Sequence, residues 1–228
     1  MVLLAIDTAS SSCAAALMDG EGTLLADEAE DRRTGHAERL IPMIADILFE
    51  AGLRKSDLSK IAVSVGPGSF TGVRTGIAAA RGLALALSVP AVGVTTLEAM
   101  AADGRRLLGD VPILSAIDAG RGEVYVASFD ADGVVVLPAC KWSYDRFEAD
   151  RPELPIATMR FVGNGIAPLG LKAHALADSR TGGIGTIAAL GLIREPVGAP
   201  QPLYLRSADA KLPSASALIA RQDERSAY

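Results

Sequence analysis

Three short apolar runs separated by polar turns open the chain. Leu3–Asp7 reads as a buried strand, Cys13–Asp19 as a second, and Thr23–Glu30 as a third whose later half turns polar. Asp19-Gly20-Glu21-Gly22 supplies a tight turn between the last two, so the three predict an antiparallel meander. From His36 the apolar period becomes helical and runs to Ala51, with Gly52 as its C-cap. A strand over Ile61–Val65, a glycine-rich turn and a helix over Thr71–Leu87 follow. A strand over Val89–Val94 and a helix over Thr96–Leu108 complete the set. Strands and helices in the order βββαβαβα predict a mixed sheet covered by helices.

The second half begins like the first. Ala116-Ile117-Asp118 repeats Ala5-Ile6-Asp7, and the same offset carries Glu123–Asp130 onto Ser12–Asp19 and Val135-Val136 onto Leu24-Leu25 without a gap. One matched triplet is weak evidence, but three strands in one register predict a duplicated, ribonuclease-H-like α/β unit. The expected division falls near Gly109-Asp110, giving lobes 1–109 and 110–228. Phe161-Val162-Gly163 ends a further strand and Gly185–Ile193 is a short helix. Pro196, Pro200 and Pro202 then lead an extended tail into Leu203-Tyr204-Leu205-Arg206.

Composition narrows the chemistry. Of 228 residues, 50% are hydrophobic and 4% aromatic, and the net charge is −5. That is a core-forming balance, with no basic run and few rings to stack on bases, which argues against a stand-alone nucleic-acid binder. The two cysteines, Cys13 and Cys140, form no disulfide framework. The start has no basic segment and meets Asp7 too early for a signal peptide, and the apolar stretch Ile77–Val94 is broken by Arg81 and Pro90, so a cytoplasmic protein without a membrane span is expected.

Asp7-Thr8 and Asp118-Ala119-Gly120 end the matching first strands. In duplicated folds of this kind such positions face a cleft and hold metal and phosphate, so Asp7, Thr8, Asp118 and Gly120 are candidate nucleotide-cleft residues. The simpler expectation is that each aspartate caps its own turn. Gly66-Pro67-Gly68-Ser69-Phe70-Thr71-Gly72 joins a strand to a helix but lacks the lysine of a phosphate loop and the third glycine of a dinucleotide fingerprint, so a helix cap by Ser69 or Thr71 is the first expectation and an anion site at the helix start the second. His36-Ala37-Glu38-Arg39-Leu40 opens a helix with leucine where a second metal-binding histidine would stand, so no metal is expected.

On that helix Met43, Ile47, Leu40, Ala51, Ile44, Leu48 and Ile41 fill an arc wider than the ~100° stripe needed to cover one sheet. The next helix is rich in glycine and alanine, with Arg74 and Arg81 its only charges. Excess apolar and small-residue surface predicts a protein–protein interface, the simpler alternative being that the two helices cover each other within the monomer.

These segments together, Ile6-Asp7-Thr8, His36 through Leu40 with Pro42-Met43, Val65 through Arg74, Thr96-Leu97-Glu98-Ala99, and Asp118 through Tyr125, resemble the TsaB (YeaZ) family. The resemblance is firm over about 1–130 and resumes at the closing Pro-x-Tyr-x-Arg of Pro202–Arg206. It implies an ASKHA-type fold, the architecture of actin, Hsp70 and sugar kinases, with two lobes of mixed sheet flanked by helices. It also implies a non-catalytic role in making N6-threonylcarbamoyladenosine in tRNA, with no cofactor. TsaB proteins are paralogues of TsaD, whose His-x-Glu-Gly-His helix holds a metal. Here that segment is His36 to Leu40. The implied partners are TsaD in a heterodimer, TsaE in a ternary complex and a second copy when alone, with tRNA reached only through the complex. The implied partner-binding residues are His36, Leu40, Met43, Ile44, Ile47, Thr71, Arg74, Thr75 and Ala78. An ATP-dependent phosphotransferase built on Asp7 and Asp118, and more remotely a metallopeptidase, are the alternatives.

Overall fold

The computed structural model describes residues 1–32, 34–145, 147 and 154–206; the end of the expected 110–228 lobe, from residue 207, lies outside the described residues. A first sheet is built from β1 (Val2–Asp7), β2 (Ser12–Asp19), β3 (Leu24–Asp31), β4 (Leu58–Ser64) and β5 (Ala91–Val94), in the order β3-β2-β1-β4-β5. The first three pair antiparallel, and β4 and β5 add in parallel beside β1. The second sheet has β6 (Ile113–Gly120), β7 (Glu123–Phe129), β8 (Val135–Ser143) and β9 (Arg160–Val162) in the order β8-β7-β6-β9, again with three antiparallel strands and a parallel neighbour. Ala5 faces Ala16 in the first sheet and Ala116 faces Val126 in the second, so the strand order repeats while the hairpin register is displaced by one residue. The repeat in the sequence is therefore a repeat of topology.

Both faces of the first sheet are buried, which is why β1 reads as an unbroken apolar run. On one face Leu4, Ile6, Leu17, Ile61 and Val63 meet α1 (His36–Glu50) and α2 (Phe70–Leu87). On the other, Leu3, Ala5, Ala16, Ala62 and Val94 meet α3 (Thr96–Leu108) and α4 (Ile184–Ile193). The alanines there let α4 come close; a Cβ on Gly191 would lie 2.3 Å from that of Ala62. α3 serves both sheets, with Ala99 against the first and Leu97 and Met100 against the second. The outer face of the second sheet is covered by Phe147, Met159, Ile166 and Leu169.

α1 ends as the glycine predicts. Gly52 takes φ +67°, its amide reaches Phe49 O at 3.1 Å and that of Leu53 reaches Leu48 O at 2.8 Å, a Schellman closure. β4 starts three residues earlier than its apolar run, because Leu58 is buried and pairs with Val2. No helix among the described residues is long and apolar enough to cross a membrane.

α4 is capped by other elements. Its N-cap, Gly183, has no side chain, and buried Asp103 of α3 takes its place, accepting from Gly183 N at 2.6 Å and Thr186 Oγ1 at 2.5 Å. At the other end the buried Lys60 ammonium of β4 donates to Leu192 O at 3.0 Å and Arg194 O at 2.5 Å. A carboxylate at the helix start and a cation at its end both match the helix dipole. Asp103→Ala strands the Gly183 amide and the Thr186 hydroxyl and is expected to cost about 1–3 kcal/mol, read as a lower urea midpoint with an unchanged slope.

Candidate functional site

The end of β1 is stitched to the start of α2. Thr8 Oγ1 donates to Gly72 O at 2.7 Å, and Ser69 N donates to Ala9 O at 2.6 Å. The Ser69 hydroxyl accepts from Gly72 N at 3.2 Å and so caps α2. A Cβ on Gly72 would lie 1.9 Å from Thr8 O, and one on Gly68 2.1 Å from Ala9 O. The turn's glycines at 68 and 72 thus permit backbone to lie on backbone.

The two aspartates have diverged. Asp7 is 1% exposed, accepts from Ala9 N at 2.8 Å and receives the Thr181 hydroxyl at 2.6 Å. Burial pushes its carboxyl above the usual range, against the pull of those bonds and of Ser64 nearby. Asp118 is half-buried. It accepts from Tyr144 Oη at 2.5 Å and Gly120 N at 2.7 Å, and the tyrosine hydroxyl, then the Gly120 amide and Arg180, hold it below the usual range. Tyr144 is itself pushed up to about 12, by burial and then by Asp118. Each aspartate closes its own turn, as the simpler expectation had it.

A cleft of about 950 Å³ opens between the lobes, lined by Ser10, His36, Ser69, Asp118, Arg180 and Tyr204 among others. Of the four candidate cleft residues Asp118 lines it; Asp7 and Thr8 are buried behind the turn, and exposed Gly120 lies in the β6–β7 hairpin. His36 begins α1 at the cleft wall with Nε2 enclosed and unbonded. Leu40, one turn on, is 1% exposed in the core. Among the described residues no three His, Cys, Asp or Glu side chains converge as a metal site requires.

The apolar arc of α1 divides in two. Leu40, Met43, Ile44 and Ile47 point at the first sheet and are fully buried, which corrects their assignment as partner contacts: the centre of the arc is what covers the sheet. Its flank is left outside, carried by Ile41 (48% exposed), Ala45 and Phe49 (89%), spaced by four along the helix. On α2 Thr71, Arg74 and Ala78 are exposed and Thr75 half-buried, and the stripe continues through Gly82 to Leu85 (84%), with Phe70 at its start. Phe49, Leu85 and Phe70 escaped the sequence reading. A large apolar residue beside Asp46 and Glu50, or at the end of a small-residue helix, was the available signal.

Two helix-covered sheets of one strand order, facing across a cleft, define an α/β protein of ASKHA type. A family profile described as TsaD, tRNA N6-adenosine threonylcarbamoyltransferase, matches residues 28–167. The tRNA threonylcarbamoyladenosine biosynthesis protein TsaB of Escherichia coli K12 is 46% identical over 132 residues, 58% of this chain and 56% of that protein. The Bacillus subtilis 168 protein of the same name is 39% identical over 163 residues, 68% of this chain and 69% of its own length. The alignable part thus spans little more than half of the Escherichia coli relative. The solved structure of YeaZ from Pseudomonas aeruginosa covers 90% of this chain and 99% of its own, at 30% identity and a TM-score of 0.74. The chain belongs to the TsaD-related proteins and, within them, to the TsaB (YeaZ) family.

Two outcomes follow from this geometry. Gly72→Ala forces a methyl into the Thr8 carbonyl and is expected to destabilise by about 3 kcal/mol or more, read by thermal melting. Asp7→Asn removes a carboxyl whose folded pKa is raised, and which therefore favours the fold when protonated and opposes it once ionised. The melting temperature of the variant relative to the natural chain should rise as the pH climbs above about 4, the carboxyl's ordinary value, and level off once the buried group has ionised.

Proposed function

We propose that this chain is a non-catalytic subunit of the machinery that makes N6-threonylcarbamoyladenosine in tRNA, working in the cytoplasm. It pairs with the catalytic paralogue TsaD through the outer faces of α1 and α2, and TsaE joins the pair. The pathway is the one for which its TsaB relatives are named. The observation that carries the partner reading is the exposed apolar face of Ile41, Phe49, Ala78 and Leu85 on neighbouring helices, more than a solitary surface leaves in water. Position 40 supports the loss of catalysis: the metal-bearing helix of TsaD has histidine there, and here Leu40 is built into the core. Against a phosphotransferase stands Asp7, which is buried and bonded to Thr181 and Ala9 and does not line the cleft.

Alone, the protein covers this face with a second copy. The exposed side of α1 carries Glu38, Asp46 and Glu50 while that of α2 carries Arg74 and Arg81, so a two-fold pairing sets acid against base. With a net charge of −5, tRNA is held by the complex as a whole.

Phe49→Asp tests the reading without touching the core, which Ile44→Asp would not. An uncompensated charge in a covered interface costs several kcal/mol, so co-purification with TsaD and self-association in sedimentation should each fall by roughly a hundredfold while the melting temperature stays within about 2 °C. Pairing at the natural yield would overturn the assigned face.

A further inference from the structure

The chain after α4 comes back across the cleft. The Leu203 amide donates to Val65 O at 2.9 Å, just beyond β4, and the Leu203 side chain packs on the core beneath α2. Tyr204 is held on the first lobe, where Arg74 Nε donates to its hydroxyl at 2.6 Å. The Arg74 guanidinium lies 3.7 Å from the Phe70 ring centre and 5.5 Å from that of Tyr204, and the rings are 5.6 Å apart. A short way on, Arg206 grips the second lobe, donating to Gly120 O at 3.2 Å and pairing with the Glu123 carboxylate in the β6–β7 hairpin. Leu203, Tyr204 and Arg206 all line the cleft.

An extended run of a few residues therefore ties the start of α2 to the hairpin opposite. Each end is fastened by contacts that the other does not supply: on one side a cation over the Phe70 ring that also donates to the Tyr204 hydroxyl, on the other a carboxylate and a carbonyl. Arg74 and Phe70 also open the exposed stripe of α2. Tyr204 adds to both side chains a contact from the far end of the chain: a hydroxyl for Arg74 and a tilted ring for Phe70.

We propose that Pro202–Arg206 is a strap that holds the two lobes closed over the cleft and couples that closure to the outer face of α2, so that a protein seated on α2 favours the strapped state. Coupling of this kind runs both ways: the strap strengthens pairing, and pairing tightens the strap. The coupling rests on the partner reading above; the strap itself does not.

Hydrogen exchange followed by NMR on the full chain tests both parts. Tyr204→Phe keeps the ring and loses the hydroxyl, and Arg206→Gln loses the grip on Glu123. Each is expected to speed exchange about tenfold at the Leu203 amide and in the hairpin, with the β1–β2 amides unmoved, and to weaken pairing with TsaD about three- to tenfold. Adding TsaD to the natural chain should slow exchange at Leu203. Exchange unchanged in both variants overturns the strap. Faster exchange with undiminished pairing overturns the coupling. Phe49→Asp separates the two readings, because its pairing reports the helix face while exchange at Leu203 reports the strap.

Discussion

Backbone against backbone, where α2 meets the end of β1, is the constraint from which the rest of the molecule follows. Gly68 and Gly72 have no side chain because the carbonyls of Ala9 and Thr8 occupy the place of one. That contact sets the angle at which α2 crosses the sheet, and with it which residues of α2 face inward and which face out. It also decides what the glycine-rich turn is for. Its cap and its close approach are both spent within the fold, so a loop sitting where phosphate loops sit is a packing joint.

The repeated sheets have taken different courses around their matching aspartates. Asp7 was drawn inward, under the turn, and satisfied by Thr181 and Ala9; Asp118 stayed at the cleft wall, held ionised by Tyr144 and the Gly120 amide. A pair of carboxylates facing each other across a cleft, which metal–phosphate chemistry needs, is thereby reduced to one. The buried aspartate is tolerated because each of its two oxygens accepts a hydrogen bond.

The strands, the helices of the first half and the duplication were legible because each rests on local period. Apolar runs, a switch to helical spacing and Gly52 at a helix end are read residue by residue. The inner and outer parts of the α1 arc were not separable in that way. Helical spacing shows that Leu40, Ile41, Met43, Ile44 and Phe49 lie around one cylinder, but which of them the sheet takes depends on how the helix is docked, and that is fixed by residues elsewhere in the chain. The fate of Asp7 was hidden for the same reason, since its partner Thr181 is remote in sequence. Tyr204 and Arg206 could be matched to a closing motif but not to Arg74 and Glu123, which only the folded chain brings near.

The borrowed capping of α4 has a consequence for how the chain is made. When the first five strands and three helices have left the ribosome, the inner face of their sheet, with Leu3, Ala5, Ala16, Ala62 and Val94, still lacks its cover, and Asp103 and Lys60 stand beside it without the groups they serve. The helix that seals that face is encoded near the other end. Vectorial synthesis therefore passes through a stage in which a finished-looking half carries an open apolar flank, a natural client for chaperones until α4 arrives.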